Sequence, residues 1–413
     1  MQVQINLTGT DAQGRVFLTW SPVKASARLV NGPPAGSVAV TLRSAGTGGG
    51  LVFDTVRSDR GTGSLNLSLP ADGRAVSFWV AGEFLKPSVA YGDAVVQAVG
   101  TTDGAVLGSK DVMVRIRKKT QALTAPERDR YLNAIGTLNA RGTGAYRDFR
   151  DMHVNNTTRE MHGNVGFLPW HRAYLLDLER SLQAIDPTVA LPYWRFDEPA
   201  PDLFTRDFMG EPDASGQAVF KPGHALEHWV TDGLPGIVRG PDFPPNSPAA
   251  VLSEIDTINL GFDYADFIAM EIDPHGSAHV SFFGPISSIG TAVRDPLFFM
   301  LHANVDRLWA KWQWVRHHQT AADALAFAPA SPNTVGHRLG DTMWPWNGIT
   351  TRPRLSTAPG GPFPPSLSTP LPGRTPKVED MLDYLAVGAA DGLGFAYDDV
   401  PFELPPTVVA GGP

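Results

Sequence analysis

The stretch MHGNVGFLPWHR, residues 161–172, decides how this chain is read, together with DPLFFMLHANVDRLW at 295–309. The first carries His162 and His171, and FRDMH just upstream adds His153. The second carries His302 and completes a group begun by DPHGSAH, which supplies His275 and His279. Six of the 11 histidines thus fall into two groups of three. Three neutral imidazoles can hold one metal ion. Such nitrogen ligation suits copper, zinc or iron and fits Mg²⁺ or Ca²⁺ poorly. A pair of three-histidine sites leaves coordination positions open for a small exogenous ligand, as an oxygen-handling centre requires.

The local pattern places these ligands on helices. His275 and His279 are spaced i,i+4, which puts both on one face of a helix. Zinc hydrolases use the same spacing as H-E-x-x-H, but the residues between are Gly276, Ser277 and Ala278, so the hydrolytic Glu is missing from its place. Asp295-Pro296 predicts a helix start with Asp as N-cap and Pro at the first helical position. His302 then sits about two turns in, with Asp306 four residues on and able to brace a neighbouring donor. His171 is expected to open the helix RAYLLDLERSL, whose Leu175, Leu178 and Leu182 form a buried stripe. Ligands presented from separate helices of a bundle make a dinuclear centre. His224 and His228 share the i,i+4 spacing but lack a third ligand motif, so no metal is expected there. His317 and His318 read as surface residues at a helix C-terminus, and His337 as a loop residue.

Outside these motifs the sequence sets the organisation. A length of 413 residues exceeds what one core usually supports, so two domains are expected. Residues 1–118 read as β throughout. VFLTW (16–20), VAVTL (38–42), SLNLSL (64–69), VSFWVAG (76–82), AVVQAVG (94–100) and VMVRIR (112–117) are separated by turn-rich segments. The expectation is an all-β accessory domain, an antiparallel sandwich or barrel. At Thr124 the pattern changes. Thr124 and Glu127 form a capping box, followed by a helical repeat through Tyr131, Ala134, Ile135 and Leu138. Residues 119–398 are expected to be a mainly α-helical bundle domain, with a proline-rich loop at 352–377. Residues 399–413 read as a C-terminal tail.

A net charge of −8 argues against a nucleic-acid or anionic-membrane surface. No cysteine is present, so thiolate sites and disulfides are excluded. No run is apolar enough for a transmembrane helix. The N-terminus, MQVQINLTG, lacks a secretory pattern, which gives a cytoplasmic expectation.

At the histidine motifs the chain resembles the type 3 copper family: tyrosinases, catechol oxidases and the oxygen-binding domains of molluscan haemocyanins. The resemblance covers roughly residues 115–398 and keeps the family's order. It runs through VRIRKKTQALTAPERDRYLNAI, FRDMH, MHGNVGFLPWHR, LPYWRFDEP, EIDPHGSAH, DPLFFMLHANVDRLW, TVGHRLGDTMWPW and the terminal FAYDD. It implies a dinuclear centre of two copper ions, one held by His153, His162 and His171, the other by His275, His279 and His302. Glu271 matches a carboxylate that holds an active-site water, and Phe298 an aromatic packed against ligand rings. Asp306, Arg307 and Trp309 match structural support behind the ligands.

Four departures bear on activity. Leu301 stands where most members have a first His of a His-His pair. Gly276 stands where many monophenol-hydroxylating members have Asn. The thioether of some members cannot form. Ile289 falls where the family places a residue over the copper-A entrance. The implied function is a dicopper phenol oxidase that uses O₂ to convert o-diphenols, with monophenols as a second class, to o-quinones. Its partners are then a small phenol and O₂, with no nucleic acid and no membrane. The N-terminal domain is the candidate surface for homo-oligomer contacts. An o-aminophenol-type oxidase and, further off, a reversible O₂-binding protein are the alternatives.

Overall fold

The computed structural model describes residues 1–155, 160–244, 246–329, 336–349, 361–366 and 368–405. The chain divides into two compact units. One comprises Met1–Ile116, Ser366–Pro370 and Asp383–Pro413, the other Arg117–Pro365 and Leu371–Leu382.

The first unit is strand-rich. Its strands are β1 (Gln2–Leu7), β2 (Phe17–Leu18), β3 (Val23–Val30), β4 (Ser37–Gly46), β5 (Leu51–Asp54), β6 (Ser64–Pro70), β7 (Val76–Gly82), β8 (Ala94–Gly100) and β9 (Val106–Val114). They form a four-stranded sheet in the order β1-β3-β7-β5 and a five-stranded sheet in the order β2-β9-β8-β4-β6. Neighbours are antiparallel except β2 and β9. Period-two alternation gives each sheet one apolar face. Val3, Ile5 and Leu7 of β1 are buried, as are Ala25, Ala27 and Leu29 of β3, and Val40 and Leu42 of β4. The expected VMVRIR strand is displaced: β9 starts at Val106 and ends at Val114, and Arg115–Arg117 lie beyond it.

The same unit takes in chain from the C-terminal end. Trp20 donates through Nε1 to the Tyr397 carbonyl at 2.8 Å, and Ser21 through Oγ to the Leu385 carbonyl at 2.6 Å. Phe395, Tyr397 and Val400 are buried. Residues 383–398, expected in the helical domain, therefore group with the strands. The reason is that their apolar side chains and carbonyls find partners there. Of the expected tail, 399–405 belongs to this unit, and 406–413 lie outside the described residues.

The second unit is built on helices α1 (Ala125–Asn139), α2 (Tyr146–Asn155), α3 (Phe167–Ile185), the short α4 (Ser277–Val280) and α5 (Leu297–Arg316). α1 starts as its capping box dictates. Thr124 accepts from the Glu127 amide, and the Glu127 side chain accepts from the Thr124 amide. α5 begins one residue later than expected: Leu297 is its first helical residue and Pro296, not Asp295, sits at the N-cap, while Asp295 Oδ1 accepts from the Leu297 amide at 2.9 Å. α3 differs from expectation. It begins at Phe167, four residues before His171, with Pro169 in its first turn, where a missing N–H costs little. Gly166 caps it because a Cβ there would lie 2.2 Å from the Glu160 carbonyl oxygen.

Nearly every side chain of α3 and α5 is buried, including Leu175, Leu178 and Leu182. Between them runs a buried charge network. Asp306 accepts from Arg172 Nε at 2.6 Å and from Arg117 Nη1 at 3.2 Å. Arg117 also pairs with Glu179 at 2.7 Å, and the Arg172 guanidinium lies 3.7 Å from the Trp309 ring centroid. Of the proline-rich loop, 352–360 and 367 lie outside the described residues. The described remainder is irregular apart from a bridge between Thr342 and Lys377. Among the described residues no helix is long and apolar enough to cross a membrane.

Candidate dinuclear metal centre

His153 comes from α2, His162 from the loop that follows, and His171 from α3. His275 and His279 come from a short helical run. Asp273 is extended (φ −141°, ψ 122°), and the chain turns helical again from Pro274 through α4, leaving the two rings one turn apart. His302 comes from the second turn of α5. The structure brings these six together as two groups, in each of which the candidate ligand atoms lie within 4.8 Å of one another. The groups adjoin: the His171 and His302 rings stack at 4.4 Å and 14°.

Backbone carbonyls orient the rings. His171 donates through Nδ1 to Phe167 O at 2.8 Å, His275 to Glu271 O at 2.7 Å and His279 to Ile286 O at 2.7 Å. A carbonyl can only accept, so each proton sits on Nδ1 and each Nε2 presents a lone pair. Burial, reinforced by the neighbouring histidines, holds His153, His171, His275 and His302 well below the usual histidine value. Burial pushes His279 down to about 4. These rings are neutral at pH 7, the ligating form.

The geometry fits metal ions. His302 Nε2 lies 3.3 Å from His275 Nε2 and 3.1 Å from His279 Nε2. One N–H could satisfy only one of those two acceptors, whereas a cation between them satisfies all three. Among the described residues, His171 Nε2 is buried without a hydrogen-bond partner, an arrangement costly for a polar atom unless something else is bound.

Around the ligands, Phe298 stacks on His302 at 4.1 Å and meets His153 edge-on at 4.9 Å. Phe167 lies 4.6 Å from His171 and 4.8 Å from His275. Leu301 is fully buried. Asp306 braces Arg172, the residue next to His171, and Arg307 reaches Glu254 at 2.5 Å.

A cleft of about 630 Å³ reaches the centre. His153, His162, His275, His279 and Glu271 line it. Glu271 Oε1 accepts from the Gly163 amide at 2.6 Å, and burial pushes the carboxyl up to about 7. Gly276 and Ile289 also line the cleft. Gly276 is helical (φ −60°, ψ −41°), and the nearest atom to a Cβ there is Glu271 O at 3.4 Å.

Other histidines separate from the site. His224 is buried against Phe220 at 4.7 Å and accepts from the Leu226 amide, while His228 is exposed. His318, expected at the surface, is buried, because Asp323 receives its Nδ1 at 2.6 Å. His337 is buried as well. One supporting residue escapes sequence reading. Asn164 donates to the His162 carbonyl at 2.7 Å and accepts from Gly166 at 2.8 Å, shaping the loop that carries His162. Its place directly after His162-Gly163 was the available signal.

Comparison with known proteins agrees with this geometry. The family model described as the common central domain of tyrosinase matches residues 143–233 and 246–315. A tyrosinase of Streptomyces antibioticus is 30% identical over 275 residues, covering 57% of this chain and 94% of that protein. Grixazone synthase of Streptomyces griseus is 28% identical over 298 residues, covering 57% of this chain and 94% of that protein. Hemocyanin 1 of Megathura crenulata is 32% identical over 179 residues, covering 40% of this chain and 5% of that protein. The chain, with its two buried histidine triads, belongs to the tyrosinase, or type 3 copper, family and is a copper oxidoreductase.

Proposed function

We propose that this protein is a phenol oxidase that uses O₂ to convert o-diphenols to o-quinones, with monophenols as a second substrate class. The observation that carries this is the open cleft of about 630 Å³, whose walls include histidines of both triads and the Glu271 carboxylate. His153, His162 and His171 hold one copper ion, and His275, His279 and His302 the other. Bound there, the copper pair supplies activation of O₂ for oxidation of the ring.

The chain's own groups do the rest. Phe298 and Phe167 pack against the imidazoles and exclude water from their outer faces. The carbonyls of Phe167, Glu271 and Ile286 fix ring orientation. Glu271 is positioned to take the phenolic proton. Its Oε1 is held by the Gly163 amide, and a carboxyl pushed up to about 7 is matched to proton transfer near neutral pH.

A reversible O₂ carrier needs the same ligands with the substrate path closed, and the open cleft favours the enzyme. The test is copper content, followed by oxygen uptake with a monophenol, the matching catechol and an o-aminophenol. Two coppers per chain with uptake on the catechol are expected. Copper without turnover on any of the three overturns the reading.

A further inference from the structure

The cleft has a chemical character of its own. Beside the histidines its lining is largely aliphatic, with Val165, Ile268, Ile272, Val280 and Ile289, and carries the neutral polar side chains Asn164 and Ser287. Three of these stand well into solvent, Ile272 at 78%, Val280 at 66% and Ile289 at 48% exposed. Aliphatic side chains so exposed around one opening make a contiguous apolar rim, which marks a binding surface. Among the described residues that line the cleft there is no lysine or arginine. Apart from the neutral histidines, Glu271 is the one titratable side chain among them.

We propose that this rim selects phenols whose ring carries a neutral apolar substituent and discriminates against phenols whose side chain ends in a carboxylate. The inference rests on the phenol-oxidase reading and specifies its substrate class. With the ring at the histidines, a para substituent points away from them, out along the aliphatic wall. Each methylene taken out of water there raises affinity by about fourfold. A carboxylate at the same place finds no cationic partner among those side chains and loses solvation against the aliphatic wall.

The test compares catechols that differ only at the end of one side chain: 4-propylcatechol, 3-(3,4-dihydroxyphenyl)propionate and 3,4-dihydroxyphenethylamine, with the copper-loaded full chain. Oxygen uptake gives kcat/KM for each. In parallel, calorimetry under argon measures binding of 4-propylphenol and of 3-(4-hydroxyphenyl)propionate without turnover. The expected result is a preference of at least tenfold for the propyl compounds over the propionates in both readouts. Ile289→Lys or Val280→Lys is expected to narrow that gap mainly through KM on the propionate.

Equal kcat/KM and equal binding across the series, or a gap that the lysine variants leave unchanged, would overturn the proposal while leaving the phenol-oxidase reading standing. No turnover of any catechol by the two-copper protein would remove both. Preference for the amine over the propyl compound would show that charge at Glu271, rather than the apolar rim, sets selection, and would overturn the proposal as well.

Discussion

At the scale of single residues, Gly276 is the position where one side chain is expected to change the chemistry. Its backbone is ordinary right-handed helix, and an added Cβ meets only the Glu271 carbonyl at 3.4 Å. A larger residue is therefore tolerated. Gly276→Asn places an amide beside Glu271, the candidate proton acceptor. The expected outcome is a rise of about tenfold in the ratio of monophenol to diphenol turnover, with copper content unchanged. Oxygen uptake on a matched phenol and catechol checks it.

A second residue governs stability rather than chemistry. Asp177 on α3 is buried and accepts from Trp346 Nε1 at 2.5 Å, and burial raises its carboxyl from 3.8 to about 7. The raised value means that the folded state holds a proton the unfolded state has already released between about pH 4 and pH 7. Stability therefore falls as pH rises through that window and is level above it. Asp177→Asn keeps the acceptor for Trp346 and removes the titration. The variant is expected to gain on the parent progressively from pH 4 to pH 7, by up to about 4 kcal/mol at pH 8. Urea unfolding of both proteins at pH 5 and pH 8 measures the difference, and a gap independent of pH would count against this account.

At the scale of elements, what was legible in the sequence depended on whether the signal was local. The Thr124 capping box could be read because its partners lie within three residues, and the start of α5 could be read to within one residue from Asp295-Pro296. The six triad histidines were legible through their motifs, and the structure gathers them into two groups. The start of α3 was not, since Pro169 reads as a helix breaker when the first-turn exemption is not applied. Strands β3 and β5 were passed over, because VKASARLV carries small and charged residues and LVFD is only four residues long.

The network that ties α3 to α5 was illegible for a different reason. Arg117 and Asp306 are 189 residues apart, and Arg172 and Asp306 134 apart, so only the fold brings them together. Removing one member of such a network leaves buried charge uncompensated, which typically costs about 3–5 kcal/mol. Asp306→Ala is therefore expected to lower the unfolding midpoint sharply, and Asp306→Asn less so, because it still accepts from Arg172. Denaturant unfolding of the three proteins would reveal this order, and an alanine variant as stable as the parent would refute it.

At the scale of the whole molecule, sequence order and structural membership part company. The strand-rich unit is completed by Ser366–Pro370 and Asp383–Pro413, which follow the helical unit in the chain. Composition gave no warning, because Phe395, Tyr397 and Val400 look like core residues of any domain. What assigns them is that Trp20 and Ser21 donate to carbonyls of Tyr397 and Leu385, and Arg57 donates to that of Ala386. A truncation meant to remove the strand-rich unit at residue 116 would leave its last segment behind, with those carbonyls and side chains uncovered. A chain lacking 1–116 but keeping 383–413 is therefore expected to bind more of an apolar dye than a chain lacking both segments, and to aggregate at lower concentration. The complementary cut, after Leu382, is expected to lower the unfolding temperature of the strands, since it strips Phe395, Tyr397 and Val400 from their core. Protease sensitivity within residues 1–116 reports the second effect directly. If the strands resist protease equally with and without 383–413, the segment is a passenger on the unit rather than part of its core.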